Sequence, residues 1–555
     1  MPKVRARLLV AFLPLFVLAN LPITNAQRSA IDTYAITNAR VVTVSGPVID
    51  RGTVVIRNGL IAAAGANVTA PPDARVIDGT GLTIYPGLID SYTNLGLPEA
   101  AASPSPAGGG GGGAFLLLAQ QQRPAAGPNS TQPAGLQPEV MVEEVIRPGG
   151  NEIEAARNIG ITTALTLPRS GIWLGQSALI NLAGDTPQQM IVRSPVAMHV
   201  GFTPLRAGGY PGSLMGVFAQ LRQMMLDAQR YRDSLQIYER SPRGVRRPET
   251  DRSLAALIPV LEGRMPVVML ANSEREITRA LDLGVEFKLK LIIAGGREAE
   301  SVADRLVKQS VPVLLSLNLP RRTTAALPEA DPEPMRVLRE RVEAQETAGK
   351  LAKAGVRFGF ESGSITNLSD LMANVNKTIE NGLQQADALR AFTIWPAEIL
   401  GVQNQLGSIE VGKIANLTVT RGDLFDRNVR VAHVFIDGHP VDLRPPTGGG
   451  GAGRNSLSGA WSVNVNLGAG DRTMTLTLQQ EGERLSGSIA GALGTGEISN
   501  GSASNTGEVQ FTATVNVEGQ TKEATFTGRL ANNEIRGSVA IVGMTPGTFT
   551  ATKPN

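Results

Sequence analysis

Apolar and polar positions alternate in three different ways along the chain, and each predicts a different architecture. Short β-like runs come first, at Ala35–Val44, Gly52–Ile56 and Ile61–Ala64, separated by Gly, Pro and Asn; they predict a small β unit. From Ile84 to about Glu361 apolar runs are spaced by longer amphipathic or loop segments, the pattern of parallel strands buried on both faces. Eight such runs stand at Tyr85–Asp90, Ile161–Leu167, Ser177–Leu182, Pro195–Val200, Pro266–Leu270, Leu289–Ile293, Val311–Leu315 and Val356–Phe360. Eight parallel strands with intervening helices predict an α/β fold, a (β/α)8 TIM barrel. Glu274–Phe287 and Glu298–Lys308 are rich in helix formers, with apolar residues three and four apart, and each precedes a new strand. Short strands return from Leu406 to Asp442. Beyond them Met474–Leu478, Val509–Ala513 and Ala524–Thr527 alternate strictly, which predicts an antiparallel all-β C-terminal domain, a small β-barrel. Two of its fragments are alike, Leu485-Ser-Gly-Ser-Ile489 and Ile535-Arg-Gly-Ser-Val539.

Composition narrows the function classes. The 555 residues suffice for two or three domains, and 42% hydrophobic with 18% charged residues describes a folded protein. The net charge of +3 is matched by Lys3, Arg5 and Arg7 alone, so the body is close to neutral and offers no basic stripe for nucleic acid. No cysteine is present, which removes disulfides, thiolate metal sites and thiol nucleophiles together. Residues 1–26 combine a cationic start, an apolar run from Leu8 to Leu21 and small residues at Thr24-Asn25-Ala26. They predict a secretory signal peptide, a mature chain starting near Gln27 and export to a bacterial periplasm or the exterior. No later stretch is long enough to span a membrane after signal cleavage. Ala100–Pro138, with six consecutive glycines, predicts a disordered insertion.

Several blocks in order carry a family resemblance. Ile36-Thr-Asn-Ala-Arg-Val-Val42, Val55-Ile-Arg-Asn-Gly-Leu-Ile61, Val76-Ile-Asp-Gly-Thr-Gly81 and Tyr85-Pro-Gly-Leu-Ile-Asp90 resemble the entry into the metal-dependent amidohydrolase superfamily. Ala391-Phe-Thr-Ile-Trp-Pro-Ala-Glu-Ile-Leu-Gly401, Leu406-Gly-Ser-Ile-Glu-Val-Gly-Lys-Ile-Ala-Asn-Leu417 and Val434-Phe-Ile-Asp-Gly438 resemble its exit. The resemblance implies a composite β-sandwich built from both chain ends around the barrel. The organisation then reads as signal peptide 1–26, N-terminal sandwich 27–84, barrel 85–401 with the insertion at about 100–138, C-terminal sandwich 402–444, Gly-rich linker 445–456 and β-barrel 457–555.

The resemblance also implies hydrolysis of non-peptide carbon–nitrogen bonds by one or two divalent ions. These would be held by a His-x-His pair after strand one, a Lys or Glu after strand four, single histidines after strands five and six, and an aspartate after strand eight. Here Asp90-Ser-Tyr92-Thr-Asn94 stands in place of Asp-x-His-x-His, strand five leads to Asn272, strand six to Gly295-Gly296, and Glu361 stands near the aspartate's place. A neutral phenol and an amide oxygen are weak zinc ligands. The chain has only three histidines, His199, His433 and His439, so a site of four imidazoles cannot be assembled at all.

The candidate residues are therefore Asp90 and Glu361 as a catalytic carboxylate pair, with Tyr92, Asn94, His199, Asn272, Trp173 and Gln176 as substrate contacts. No cofactor is expected from the usual ligand set; Asp90, His199 and Glu361 are the candidates for a residual single divalent metal ion. Three readings stay open: a non-catalytic or weakly active member that keeps a small-molecule pocket, an enzyme rebuilt on one ion or on the carboxylate pair, and an envelope binding protein acting through its C-terminal barrel.

Overall fold

The computed structural model describes residues 33–98, 132–133, 135–168, 171–205, 210–320, 334–363, 365, 367–368, 370–426, 429–443, 457–467, 471–481, 484–492, 494–503, 508–517, 520–531, 534–541 and 547–553. The signal peptide, most of the Gly-rich insertion and the 445–456 linker lie outside the described residues. Two compact units divide the chain, 1–443 and 444–555.

In the first unit, strands β1 (Thr33–Val41), β2 (Ile49–Arg57), β3 (Leu60–Gly65), β4 (Arg75–Asp78) and β5 (Leu82–Pro86) join β16 (Leu417–Arg421), β17 (Arg430–Ile436) and β18 (His439–Val441) in one eight-stranded sheet. Its order is β18-β17-β16-β5-β1-β2-β3, with β4 also on β1. The sheet is thus composite, made from both ends of this unit. It curls on itself: Tyr34 on β1 meets Phe435 on β17 edge to face at 5.7 Å although two strands lie between them in the sheet. Ile36, Val54, Ile84, Leu417 and Val419 complete that core.

The remaining strands are β6 (Leu88–Thr93), β7 (Ile161–Thr166), β8 (Trp173–Gln176), β9 (Ala178–Asn181), β10 (Ile191–Arg193), β11 (Met198–Gly201), β12 (Val267–Ala271), β13 (Leu291–Gly295), β14 (Val313–Ser316) and β15 (Phe358–Glu361). Parallel ladders run β6–β7 and β11 through β15, helices alternate with these strands, and β15 returns to lie beside β6. This is a TIM-barrel-like domain of mixed α/β content. Along β11 to β14, Ala197, Val268, Ile292 and Leu314 share the inner core, while their neighbours Met198, Met269, Ile293 and Leu315 pack outward. The period of two places His199, Ser316 and Glu361 inside.

Two expected strands differ. Tyr85–Asp90 is two strands, because the chain breaks at Gly87, where a Cβ would lie 2.2 Å from the Thr162 hydroxyl oxygen. The segment at Ser177–Leu182 is not parallel. β9 runs antiparallel to β7, and β8 runs antiparallel to β11, so residues 173–181 form one bent stave against both neighbours. Only six residues separate β7 from β8, too few for the crossover that a parallel neighbour requires. The predicted helix at Glu274–Phe287 is present, whereas Glu298–Lys308 begins as a 3-10 turn at Ala299–Val302 before the helix Ala303–Lys308.

Asn416 ties sheet to barrel. Its buried Nδ2 donates to Thr163 Oγ1 at 2.9 Å and Asn181 Oδ1 at 2.7 Å, its Oδ1 accepts from the Asp437 N–H at 2.7 Å, and its carbonyl accepts from Gly87 at 2.7 Å. A buried amide with donors and acceptor satisfied is worth keeping, because each orphaned group would cost about 1–3 kcal/mol.

The second unit is a closed antiparallel barrel of eight strands, Gly459–Asn466 (β19), Asp471–Glu481 (β20), Arg484–Gly491 (β21), Gly494–Ala503 (β22), Glu508–Val517 (β23), Gln520–Ala531 (β24), Glu534–Ile541 (β25) and Gly547–Thr552 (β26). Trp461, Val463, Met474, Leu476, Phe511, Phe526 and Phe549 fill its interior. Ser462, Asn464, Thr473, Thr475 and Thr477 point outward and are exposed, the reverse of a barrel whose outer band faces lipid. The two look-alike fragments lie on β21 and β25, four strands apart in the ring. Their central Gly487 and Gly537 admit a neighbouring carbonyl to within about 2 Å of where a Cβ would be. No helix among the described residues is long and apolar enough to cross a membrane.

Candidate functional site

Asp90 and Glu361 come together where β15 meets β6. Both are buried. Asp90 Oδ1 accepts the Ser362 N–H at 3.0 Å and the Tyr92 N–H at 3.4 Å, and Ser362 Oγ donates to Oδ2. Burial pushes the Asp90 carboxyl up to about 6 against those stabilising bonds. Glu361 Oε2 accepts the Gly363 N–H at 2.6 Å, and the Ser316 hydroxyl also bonds its carboxyl. Burial, reinforced by the Asp90 charge, pushes Glu361 up to about 8. Burial thus raises the proton affinity of both carboxyls, of Glu361 further than of Asp90. The seam is completed by Ser91 Oγ donating to the Phe360 carbonyl at 2.6 Å and Gly363 N–H donating to the Tyr92 carbonyl at 3.0 Å.

Tyr92 and His199 meet across the interior with ring centroids 5.7 Å apart and planes at 56°. Tyr92 is half-buried at the end of β6, and burial followed by the Glu361 charge drives its hydroxyl proton affinity upward. His199 is 1% exposed, both of its ring nitrogens lack a hydrogen-bond partner, and burial lowers it to about 3. It is a neutral imidazole. Asn94 is half-buried beyond Tyr92.

Asn272 follows β12 at the start of a helix, Glu274–Phe287, that opens with a capping box: Ser273 Oγ accepts from the Glu276 N–H, and Glu276 Oε2 accepts from the N–H of Asn272 at 3.0 Å and of Ser273 at 3.1 Å. Trp173 and Gln176 sit apart from this cluster's polar contacts. Trp173 is packed in the outer core with its indole nitrogen unpartnered, and Gln176 donates its amide to the Pro138 carbonyl at 3.2 Å. His433 and His439 lie on the composite sheet. Ser316 and Ser362, which hold the two carboxylates, were not singled out in the sequence; a serine one residue from a strand end carries no signal of its own there.

The donor set does not fit the one or two divalent ions that the family resemblance implies. A phenol whose proton is held more tightly, two carboxamides and a Gly-Gly turn stand where the resemblance implies imidazoles. Asp90 and Glu361 already spend their oxygens on serine and backbone donors. Among the described residues no group of three or more His, Asp or Glu side chains converges as a metal cluster, and that includes Asp90, His199 and Glu361.

Comparison with known proteins bears on the scaffold. The family model for the amidohydrolase family matches residues 283–441. The crystal structure of an amidohydrolase from Thermotoga maritima MSB8 superposes with a TM-score of 0.61 at 25% identity, covering 74% of this chain and 100% of its own. A second amidohydrolase crystal structure gives 0.44 at 16% identity over 74% of this chain and 98% of its own. Dihydropyrimidinase 1 from Caenorhabditis elegans is 44% identical over 45 residues, 8% of this chain and 9% of that protein. The Thermotoga structure is covered over its whole length, and the family match runs through strands β13 to β18; the chain belongs to the amidohydrolase superfamily.

Proposed function

We propose that this protein is an exported member of the hydrolase superfamily that has given up metal-dependent hydrolysis and uses its barrel mouth to bind a small molecule. The observation that carries this reading is the donor set: Tyr92, Asn94, Asn272 and Gly295-Gly296 occupy the positions where imidazoles would hold an ion. Export rests on the N-terminal cationic and apolar run. The test is elemental analysis of the purified full-length protein after incubation with zinc, manganese or iron and removal of excess ion, together with a hydrolysis screen over amides, ureas and cyclic imides. Background metal and no chelator-sensitive turnover are expected. Stoichiometric metal with turnover abolished by a chelator would overturn the proposal.

One observation favours a second reading. Asp90 and Glu361 have proton affinities driven apart, to about 6 and about 8, the arrangement by which paired carboxyls take base and acid roles. On this reading the protein is a metal-free hydrolase, and the same screen would reveal turnover that survives a chelator and disappears in Glu361→Gln.

A further inference from the structure

We infer that the overhanging end of the helix Leu214–Arg240, together with the loop that returns from it, docks on an anionic phospholipid surface. Neither the metal question nor any ligand at the barrel mouth bears on it.

The last buried side chain of this helix is Ala228. Residues 229–240 beyond it carry none, and they run on for about 18 Å at the helical rise. The chain then turns back through residues 241–251. Two bonds fix the return: the Tyr231 hydroxyl accepts the Asp251 N–H at 3.3 Å, and the Asp251 carboxylate accepts the Leu254 N–H at 2.9 Å, capping the next helix, Arg252–Leu261. Between helix end and loop lies an open cleft of about 450 Å³, lined by Ser234, Ile237, Val245, Arg246, Arg247 and Pro248. From Arg230 to Arg252 seven arginines stand against four acidic residues, a local excess as large as the net charge of the whole chain. Three of the four acids are engaged. Asp233 pairs with Arg232, Glu249, the one carboxylate of the cleft, pairs with Arg246, and Asp251 caps its helix. The Arg246–Glu249 pair stands almost wholly in water, where it is weak and open to a competing phosphate. Arg240, Arg243 and Arg247 are exposed and have no ion-pair partner among the described residues. Among these cations Ile237 is 58% exposed and Val245 39%. A free phosphate would pair with the arginines and leave both aliphatic side chains in water. An anionic bilayer meets both features at once: its phosphates accept paired bonds from the guanidinium groups, and Ile237, Val245 and Pro248 enter at the boundary of headgroups and acyl chains.

Flotation of the full-length protein with vesicles of phosphatidylcholine, alone or mixed with phosphatidylglycerol, tests the inference. The variants Arg246→Gln/Arg247→Gln and Ile237→Ser are compared with Arg336→Gln/Arg339→Gln, which removes the same charge from exposed positions on the helix Met335–Ala354. Every variant keeps the cationic and apolar N-terminal run, so differences between variants read the overhang alone. Wild type and the Arg336/Arg339 control are expected to bind the mixed vesicles alike. Arg246→Gln/Arg247→Gln should weaken that binding by more than about tenfold, since each arginine near an anionic surface adds severalfold to the partition, and the difference should vanish at high salt. Ile237→Ser should weaken it severalfold. All these side chains are exposed, so the thermal midpoints should stay unchanged. Equal binding by wild type and Arg246→Gln/Arg247→Gln, or an equal loss in the control, overturns the inference. Release by inorganic phosphate at an ionic strength where chloride leaves the complex intact would make this a site for a free anion and overturn the lipid surface. Capture on immobilised polyglutamate, lost in Arg246→Gln/Arg247→Gln while vesicle binding is not, would make the partner an acidic chain and overturn it too.

Discussion

Glu361 is the residue on which the first unit's pH response turns. Its carboxyl sits at about 8 in the folded chain against 4.5 for a free side chain, so the folded state holds a proton that the unfolded state has released. Stability contributed by the protonated group is present below pH 4.5 and is lost as pH rises towards 8. Asp90 acts in the same direction up to about 6, while His199, lowered from 6.5 to about 3, acts in the opposite direction below 6.5. Between pH 6.5 and 8, Glu361 is the one member of this cluster still titrating. The unfolding midpoint is therefore expected to fall across that window, with a limiting slope of about 1.4 kcal/mol per pH unit, and the Glu361→Gln variant to show a flat profile. Urea unfolding of the two proteins at half-unit steps checks this; parallel profiles would mean that Glu361 is ionised in the fold. The sequence pointed to both carboxylates through the family resemblance, Asp90 where Asp-x-His-x-His would begin and Glu361 near the strand-eight aspartate's place. It could not find the proton affinities, which come from burial and from Ser316 and Ser362, contacts made between strands far apart in the chain.

At the scale of elements, the join of β15 to β6 rests on side-chain and loop contacts, whereas β11 through β15 share parallel ladders. Ser362 bonds Asp90 through both its N–H and its hydroxyl, Ser91 reaches the Phe360 carbonyl, and Gly363 reaches Tyr92. Removing the hydroxyl leaves a buried carboxylate short of a donor. Ser362→Ala is expected to destabilise the first unit by about 1–3 kcal/mol, measured as a lower urea midpoint with unchanged slope, whereas Ser486→Ala on an exposed hydroxyl of the second unit should change it little. Most elements were legible because apolar runs and helix periodicity are local signals. The bent stave at residues 173–181 was not, since Trp-Leu-Gly-Gln and Ala-Leu-Ile-Asn read as buried strand in either direction. Direction was recoverable only from the six-residue connection before it. Likewise the break at Gly87 depends on Thr162, some seventy residues away.

For the whole molecule, the residues that hold the scaffold together are not the candidate site residues. Asn416, Thr163 and Asn181 lock the composite sheet to the barrel, so on the metal-free reading proposed above the fold does not depend on a bound ion. In the second unit the ladder closes on itself, and its described core is drawn from residues of that unit. A closed barrel has no unpaired edge, and among the described residues its interior is packed with apolar side chains. A fragment of residues 457–555 is therefore expected to fold alone. Trp461, buried with its indole nitrogen donating to the Leu457 carbonyl at 2.7 Å, is the fragment's only tryptophan and reports the transition. Its fluorescence should change in one cooperative step with denaturant, and Phe526→Ala, which removes a ring stacked on Phe511 at 4.8 Å, should lower stability by about 3–5 kcal/mol. A gradual, non-cooperative change would show instead that this barrel needs the rest of the chain to form.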